Sequence, residues 1–308
     1  RITGEEPPRD GGMPVLSGRD AEGRTLCVRA RLVVGADGLR SIVARRLGLV
    51  RREPRLRKLS LTAHARGIPG LAFEEDGGPA PLMRGEMHVT DGGCVGVAPV
   101  ESGPDPLCNL SLVVDARRFG AQVADDRRGF FRAMLGRFPG LHGRLERLTL
   151  VAHAGGRRLL ASGPFDWTMR DVVAPGVALV GDAAGYYDPF TGQGIFQALA
   201  SAELLAQEAD AALWAHGAGA LPALVEYARR RAELLRGARA LQRGIEAVLS
   251  RPWLANAAIS RLRRSREAAD ALVAVTGDLR PAGSLLDPRL LVSMVVPRRT
   301  ASSAEAVR

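Results

Sequence analysis

Alternating apolar and polar residues predict β-structure near the start of the chain. Residues 13–34 contain two such runs, separated by turn residues 20–23, and they predict a β-hairpin whose second strand ends at Gly35. A short helix is expected over about 41–47, because the following Gly48 is a residue that commonly ends helices. The first part of the chain is therefore expected to be a hairpin followed by a helix.

The middle of the chain is predicted to be mainly sheet and its end mainly helix. Residues 59–115 contain short strand-like runs separated by turns rich in glycine and proline. Further strands are expected at 147–154 and 176–182. Three- and four-residue spacing of apolar side chains predicts helices over three stretches, namely 125–137, 192–214 and 221–275.

Two strand-to-turn segments lie far apart along the sequence. Asp37 follows the hairpin and Asp182 follows the strand at 176–182, with the mainly β segment between them. This order predicts one nucleotide-binding domain that a second domain interrupts. The expected fold class is α/β with an α+β insertion, followed by C-terminal helices.

Arginine dominates the charge of the chain. The net charge is +10, and the segment 226–266 holds 11 arginines and three acidic residues. No basic strand with interleaved aromatic residues occurs, so we expect no nucleic-acid partner. The helical block 221–275 is expected to hold its arginines in water, with peripheral docking on an anionic membrane as the alternative.

The cysteine and histidine patterns indicate neither a disulfide framework nor a metal site. Cys27, Cys94 and Cys108 form no CxxC pair, and the five histidines show no HxxxH or HExxH spacing. No apolar run is long enough to span a bilayer. We therefore expect a cytoplasmic protein without a metal centre, peripheral at a membrane if the basic block docks there.

The segment 176–206 carries most of the candidate chemistry. Its apolar strand ends at Gly181 and Asp182, where open α/β sheets bind their ligands, and this carboxylate can accept a hydrogen bond from a sugar-like hydroxyl. Gly194 opens a long helix and lets a planar ligand approach the backbone. The free N–H groups of that helix terminus favour a negatively charged ligand edge, such as that of a reduced flavin.

Two motifs resemble those of a family of FAD-dependent oxidoreductases. GVALVGDAAGYYDPFTGQGI (176–195) looks like the second FAD motif of the para-hydroxybenzoate hydroxylase-like flavoproteins, and ARLVVGADGLRSIVARRLGL (30–49) looks like their Asp-Gly motif. The resemblance covers most of residues 13–215. It implies a partial Rossmann-like FAD-binding domain formed by 1–58 and 166–215, a mainly β substrate domain at 59–165, and a C-terminal helical region and tail at 216–308.

The resemblance also implies roles for individual residues. Asp182 would bind the ribityl chain, Asp37 and Gly38 would lie near the pyrophosphate and the flavin, and the loop 189–194 would lie along the isoalloxazine ring. No separate catalytic residue is expected, because the flavin carries the redox chemistry. The predicted FAD-binding residues are Asp37, Gly38, Gly181, Asp182, Pro189, Gly192, Gln193 and Gly194.

The sequence departs from the family pattern in two ways. The family often has arginine seven residues after the aspartate of the Asp-Gly motif, where this chain has Ala44. The GxGxxG strand–turn–helix that holds the ADP half of FAD is not found in the sequence, which starts at Arg1. We therefore expect an N-terminally truncated sequence whose chain, expressed alone, binds FAD poorly or is a cofactor-free, inactive fragment.

Two reaction classes fit the motifs. The first is an NAD(P)H-dependent monooxygenase that hydroxylates an aromatic or polyketide-like small molecule. The second is a geranylgeranyl reductase-like enzyme that reduces isoprenoid or lipid double bonds, because the loop around Pro189 also resembles the loop of those reductases. Their substrate sheet usually carries Tyr-x-Trp-x-Phe-Pro, whereas residues 93–99 read GCVGVAP here, so the monooxygenase is favoured. In both cases the expected partner is a hydrophobic or aromatic small molecule.

Overall fold

The computed structural model describes residues 2–6, 13–73, 82–153, 155–186, 189–214 and 220–290. The chain divides into two compact units. Unit 1 is formed by residues 1–51 and 168–308, and unit 2 by residues 52–167. The segment expected to be a substrate domain, 59–165, lies inside unit 2, while the C-terminal region from residue 216 belongs to unit 1.

The N-terminal part of unit 1 contains strands from two separate sheets. Strands β1 (Ile2–Glu6), β2 (Val15–Arg19) and β3 (Thr25–Arg29) form an antiparallel sheet in that order. Strand β4 (Val33–Gly35) belongs to another sheet and leads into helix α1 (Ile42–Arg46). The predicted hairpin and the predicted helix near 41–47 are confirmed.

Unit 2 is built on a six-stranded antiparallel sheet with two helices packed on one face. The chain enters it after β5 (Val50–Arg52). Its elements in chain order are β6 (Lys58–Arg66), β7 (Ala72–Phe73), β8 (Leu82–Met83), β9 (Glu86–Thr90), β10 (Gly93–Pro99), β11 (Cys108–Asp115), α2 (Ala116–Asp125), α3 (Arg127–Leu135), β12 (Thr149–Val151) and β13 (Leu160–Ser162).

Alternation along the strands of unit 2 separates an apolar face from a polar one. The main sheet has the order β12-β6-β11-β10-β9, and β13 also pairs with β6. Leu61, Ala63 and Ala65 of β6 are fully buried and pack in one core with Phe131 and Leu135 of α3. The side chains of Leu61, Ala63 and Ala65 therefore all point to the apolar core, because successive side chains of a β-strand point to opposite faces of the sheet.

The chain returns to unit 1 through three short strands and then four helices. The strands are β14 (Trp167–Met169), β15 (Val173–Ala174) and β16 (Val177–Leu179). The helices are α4 (Gly194–Trp214), α5 (Ala220–Leu249), α6 (Pro252–Leu262) and α7 (Arg266–Thr276). None of the helices in the described ranges is long and apolar enough to cross a bilayer.

The second predicted strand of the hairpin is divided in the structure. β3 pairs antiparallel with β2, whereas β4 pairs parallel with β16. A single straight strand cannot reach both partners, so the chain turns between residues 29 and 33. The prediction of one continuous strand from 25 to 35 is therefore wrong, because the apolar pattern carries no information about which sheet each half joins.

Helix α2 was not expected from the apolar spacing. It contains Arg117, Arg118 and Gly120, and only Phe119 and Val123 are buried. Its start is defined instead by capping, because the Asp115 side chain accepts a hydrogen bond from the Arg117 N–H at 2.8 Å. Two buried residues at a four-residue step are too few to distinguish this helix from a loop by periodicity.

Helix α5 holds β16 in place. The buried Tyr227 hydroxyl donates to the Leu179 carbonyl at 2.7 Å, at the end of that strand. Further along the helix, the Gln242 amide donates to the Thr191 hydroxyl at 2.7 Å. One face of a single helix therefore contacts both the strand end and the loop that precedes α4.

Part of the basic block is paired with carboxylates of the same chain. The Arg229 guanidinium lies 2.6 Å from the carboxylates of both Glu226 and Glu233. Arg230 forms an ion pair with Glu208 of α4. These pairs leave fewer arginines of α5 available to an anionic surface, and membrane docking remains a prediction.

We predict opposite stability effects for two glycine-to-alanine substitutions in unit 1. A Cβ on Gly35 would lie 2.6 Å from Leu179 Cδ2 and 3.2 Å from Val43 Cβ, so Gly35→Ala should lower the free energy of unfolding by about 1–3 kcal/mol. Gly244 is helical with open space at its Cβ position, so Gly244→Ala should raise it by about 0.5–1 kcal/mol. Urea unfolding followed by circular dichroism measures both. Equal effects would contradict the close approach of β4 and β16.

Candidate functional site

Parallel pairing of β4 and β16 brings the two motifs to one edge of unit 1. Gly35 pairs with Leu179, and the Val180 N–H donates to the Gly35 carbonyl at 3.0 Å. The carboxyl ends of parallel strands meet at the same edge of a sheet. The turn after β4 and the turn after β16 therefore lie side by side, although they are far apart in sequence.

An open cleft of about 480 Å³ lies between these turns and the start of α4. Its volume is in the range of small-molecule and cofactor pockets. Four of the predicted FAD-binding residues line it, namely Gly38, Gly181, Asp182 and Gly194. The remaining lining residues are small or apolar apart from one tyrosine: Ala36, Val180, Tyr186, Ile195, Ala198, Leu199 and Ala202.

Asp182 is the acidic group of this cleft. It is half-buried in a short 3₁₀ turn, residues 181–184, directly after β16. Its carboxylate makes no hydrogen bond or ion pair with any residue that the structure describes, and burial raises its pKa. A desolvated carboxylate without an internal partner is suited to accept hydrogen bonds from the hydroxyl groups of a ligand.

Asp37 has a local structural role. Its carboxylate accepts a hydrogen bond from the Ile42 N–H at 2.6 Å, at the start of α1. The Ser41 hydroxyl accepts from the Ala44 N–H at 2.9 Å in the same turn. Both side chains therefore cap α1. The cap fixes the turn containing Gly38, while Asp37 itself does not line the cleft.

Two of the cleft glycines adopt backbone conformations that other residues rarely take. Gly38 has φ +79° and Gly181 has φ +61°, both in the left-handed region. No atom lies within 4 Å of a Cβ placed on Gly38, so its side toward the cleft is open. These positions let the backbone turn sharply at the strand ends and keep the approach to the cleft clear.

Hydrogen bonds to α5 and to the end of α7 hold the loop before α4, residues 189–193, in place. Gln193 is buried, and its amide donates to the Asp278 carboxylate at 2.6 Å and to the Val275 carbonyl at 3.4 Å. Its side chain is thus an anchor for the loop and does not line the cleft. Pro189 lines a smaller cavity behind the loop, and Gly192 lines neither cavity.

The smaller cavity contains polar residues that the sequence patterns did not indicate. It has a volume of about 40 Å³, and five of its lining residues also line the larger cleft: Gly181, Asp182, Tyr186, Gly194 and Ala198. Its additional polar lining consists of Gln197 from α4 and of Arg231 and Gln242 from α5. Apolar spacing and net charge both predict that an arginine in a basic helix is exposed to solvent, so neither indicates that Arg231 is buried.

Unit 2 presents a polar face on the side of its sheet opposite the apolar core. Ser60, Thr62 and Ser111 form a cluster of hydroxyl groups 3.4–3.5 Å apart on β6 and β11. The ring centroids of His64 and His153 lie 4.5 Å apart, and the buried Nε2 of His153 has no hydrogen-bond partner among the residues that the structure describes. This face therefore offers several groups that can donate to or accept from a polar ligand.

The fold is similar to that of solved halogenases described as FAD-dependent or flavin-dependent. The structure is similar to the myxobacterial chondrochloren halogenase CndH, an FAD-dependent halogenase, with a TM-score of 0.63 and 20% identity over 75% of this chain and 50% of that one. It is also similar to the flavin-dependent brominase Bmp2, with a TM-score of 0.67 and 16% identity over 90% of this chain and 64% of that one. The predicted α/β fold class is confirmed.

A relative by sequence is the tetracycline 7-halogenase of Kitasatospora aureofaciens. It is 29% identical to this chain over 197 residues, which are 60% of this chain and 34% of that protein. No family model matches the chain. The chain thus spans about a third of this curated relative and half of CndH. These proteins are halogenases, and halogenation is neither the hydroxylation nor the double-bond reduction expected from the motifs.

The buried Asp182 predicts a pH-dependent stability effect. Because burial raises its folded pKa, the folded state binds the proton more tightly, and the stability contributed by this group falls as pH rises from its unfolded pKa to its raised folded pKa. Asp182→Asn should therefore be at least as thermally stable as the parent at pH 7, and its advantage should disappear in acid. Thermal unfolding across pH tests this, with the exposed Asp270→Asn as control. A loss of stability at neutral pH in Asp182→Asn would contradict an unpaired carboxylate.

Proposed function

We propose that unit 1 binds FAD in the 480 Å³ cleft and that the chain is the flavin-binding part of an oxidoreductase. The observation that carries the proposal is the unpartnered carboxylate of Asp182 at the shared edge of two parallel strands. Its neighbours Gly38 and Gly194 leave the cleft open to a ligand. Similarity to proteins described as FAD-dependent and flavin-dependent supports the choice of cofactor.

Each group in the cleft suits a different part of the cofactor. The carboxylate of Asp182 would accept hydrogen bonds from the ribityl hydroxyls. The N-terminus of α4, which begins at Gly194, provides N–H groups and a partial positive charge for the anionic edge of a reduced ring. The apolar side chains of Ile195 and Leu199 are largely exposed on α4, and they can pack against a planar ring system.

We further propose that the reaction is an oxidative substitution on an aromatic or polyketide-like small molecule. The bound FAD supplies the redox chemistry, and the protein supplies binding and orientation. Similarity to a tetracycline 7-halogenase and to two other halogenases favours halogenation over the hydroxylation expected from the motifs. NAD(P)H as the source of electrons remains a prediction from the resemblance.

The polar face of unit 2 is our proposed substrate surface. Its hydroxyl cluster and the unpartnered His153 Nε2 can hydrogen-bond the phenolic or carbonyl oxygens of an aromatic substrate. The facing positions of β10 hold the small residues Cys94 and Gly96, which leave room above the sheet. A narrow lipid chain offers few oxygens to match these groups, so this face favours a polar aromatic ligand over an isoprenoid.

The first test is flavin binding. We expect Asp182→Ala to weaken FAD binding by about ten- to a hundredfold, because it removes a charged hydrogen-bond acceptor from the ribityl chain. Quenching of FAD fluorescence on titration with the chain measures the affinity. Asp182→Ala should weaken the binding of riboflavin to the same extent, because riboflavin contains both the ring and the ribityl chain that the cleft is proposed to contact.

The control for this test is Asp270→Ala, which removes an exposed carboxylate of α7 outside the cleft. It should bind FAD as the parent does. Equal affinities of Asp182→Ala and the parent for both FAD and riboflavin would remove the proposed role of Asp182. A loss for FAD without a loss for riboflavin would place the carboxylate at a different part of the cofactor.

The second test concerns the reaction class. The full-length protein is incubated with chemically reduced FAD, oxygen, bromide and a panel of phenols, and products are analysed by mass spectrometry. We expect a phenol that has exchanged a hydrogen for bromine. Gain of an oxygen atom would support a hydroxylase instead, and reduction of an added isoprenoid double bond would support the reductase. Each product has a distinct mass, so the three outcomes are separable.

A further inference from the structure

One row of residues on the polar face of unit 2 changes from hydroxyl groups at one end to an apolar side chain at the other. Residues directly opposite one another on antiparallel strands point to the same face of a sheet. Thr62 of β6 lies opposite Ser111 of β11. Ser111 in turn lies opposite Gly96 of β10, and Gly96 lies opposite Met87 of β9. We call these four residues the cross-strand row.

Gly96 leaves an open space in the middle of this row. Its φ is not positive, so its backbone conformation is one that other residues also adopt. A Cβ placed on it would meet only the Met87 Cε among the described residues, at an ordinary contact distance of 3.7 Å. Neither the backbone nor the packing therefore requires glycine here. A glycine inside a strand weakens the strand, and it often marks a place where a ligand approaches the backbone.

The far end of the row is apolar although it faces away from the core. Met87 is 49% exposed, and Val89, on the same face of β9 two residues further along, is 41% exposed. The solvated face of an antiparallel sheet normally carries polar residues. Two adjacent exposed apolar side chains are therefore suited to contact an apolar part of a ligand. The thioether of Met87 also makes favourable contacts with aromatic rings.

The spacing of the strands limits what fits above Gly96. Neighbouring strands lie about 4.8 Å apart, so the backbones at Ser111 and Met87 are about 10 Å apart, with Gly96 midway between them. A single aromatic ring lying flat on the Gly96 backbone can contact the side chains on both sides. A fused ring system laid across the row would instead collide with one of these two side chains.

We propose that the space above Gly96 is a slot for one oxygen-substituted aromatic ring, and that Gly96 is a specificity-determining residue. The ring lies flat on the Gly96 backbone, and its carbon edge packs against Met87. Its oxygen forms a hydrogen bond with the Ser111 hydroxyl, which lies 3.5 Å from that of Thr62. The slot rests on the proposed role of the polar face as the substrate surface, and it uses no residue of the flavin cleft.

The test measures ligand binding to the full chain by NMR titration, without flavin or turnover. The ligands are 4-methylphenol and 1,4-dimethylbenzene, in which a methyl group replaces the hydroxyl. Gly96→Val should weaken the binding of both by about tenfold or more, because its side chain fills the slot. Its free energy of unfolding should stay the same or rise, since valine favours strands. The matched control Ala98→Val adds bulk at an exposed position on the same face of β10, about 7 Å away, and should bind as the parent does.

Two further variants keep the test decisive if Gly96→Val does not fold. Gly96→Ala adds one methyl group in open space and should weaken both ligands to a smaller extent. Ser111→Ala should weaken 4-methylphenol by about three- to tenfold and leave 1,4-dimethylbenzene unchanged.

Three results would overturn the slot: no saturable binding of 4-methylphenol by the parent, equal affinities of the parent and the Gly96 variants, or an equal loss in Ala98→Val. Flavin titration is a separate measurement on unit 1. The slot can therefore fail while FAD binding stands, and ring binding that depends on Gly96 would support the slot even if FAD does not bind.

Discussion

The parallel pairing of β4 with β16 is the interaction on which the candidate site depends. It is possible at this distance because Gly35 has no Cβ, which would otherwise meet Leu179 Cδ2 at 2.6 Å. The pairing sets two turns and the starts of α1 and α4 at one edge of the sheet. Removing it would separate Gly38 from Asp182, and neither turn alone forms a cleft.

Helix α5 also holds the site together, and its buried face contains polar as well as apolar side chains. Its buried face contains the apolar residues Leu224, Tyr227 and Leu235, and also the polar residues Arg231 and Gln242. The Tyr227 hydroxyl satisfies the last carbonyl of β16, and Gln242 holds Thr191 in the loop before α4. The helix thus stabilises the fold through its apolar residues and shapes the cavity through its polar ones.

The sequence patterns predicted the parts of the site that depend on local structure. The strand ends at Gly35 and near Asp182, the short helix α1 and the long helix after Gly194 all have short-range signals, and the structure contains each of them. Roles that depend on distant partners could not be predicted in this way. FAD binding by Gln193 stays a prediction, and the structure shows its amide donating to Asp278, which follows four helices further along the chain.

The same limit explains why the arginine of the small cavity was not expected. The arginines of the block 221–275 were predicted to lie in water, whereas the structure buries Arg231. Desolvating a charge is costly, so a buried arginine is normally paired within the chain or replaced by an apolar residue. Arg231 and Asp182 line one cavity with opposite charges and form no ion pair with each other, and burial raises the pKa of Asp182 and lowers that of Arg231. A direct ion pair would relieve both costs at once and would occupy the hydrogen-bonding capacity of both groups. Keeping the two charges apart leaves the carboxylate of Asp182 free to accept hydrogen bonds from the hydroxyl groups of a ligand in the cleft.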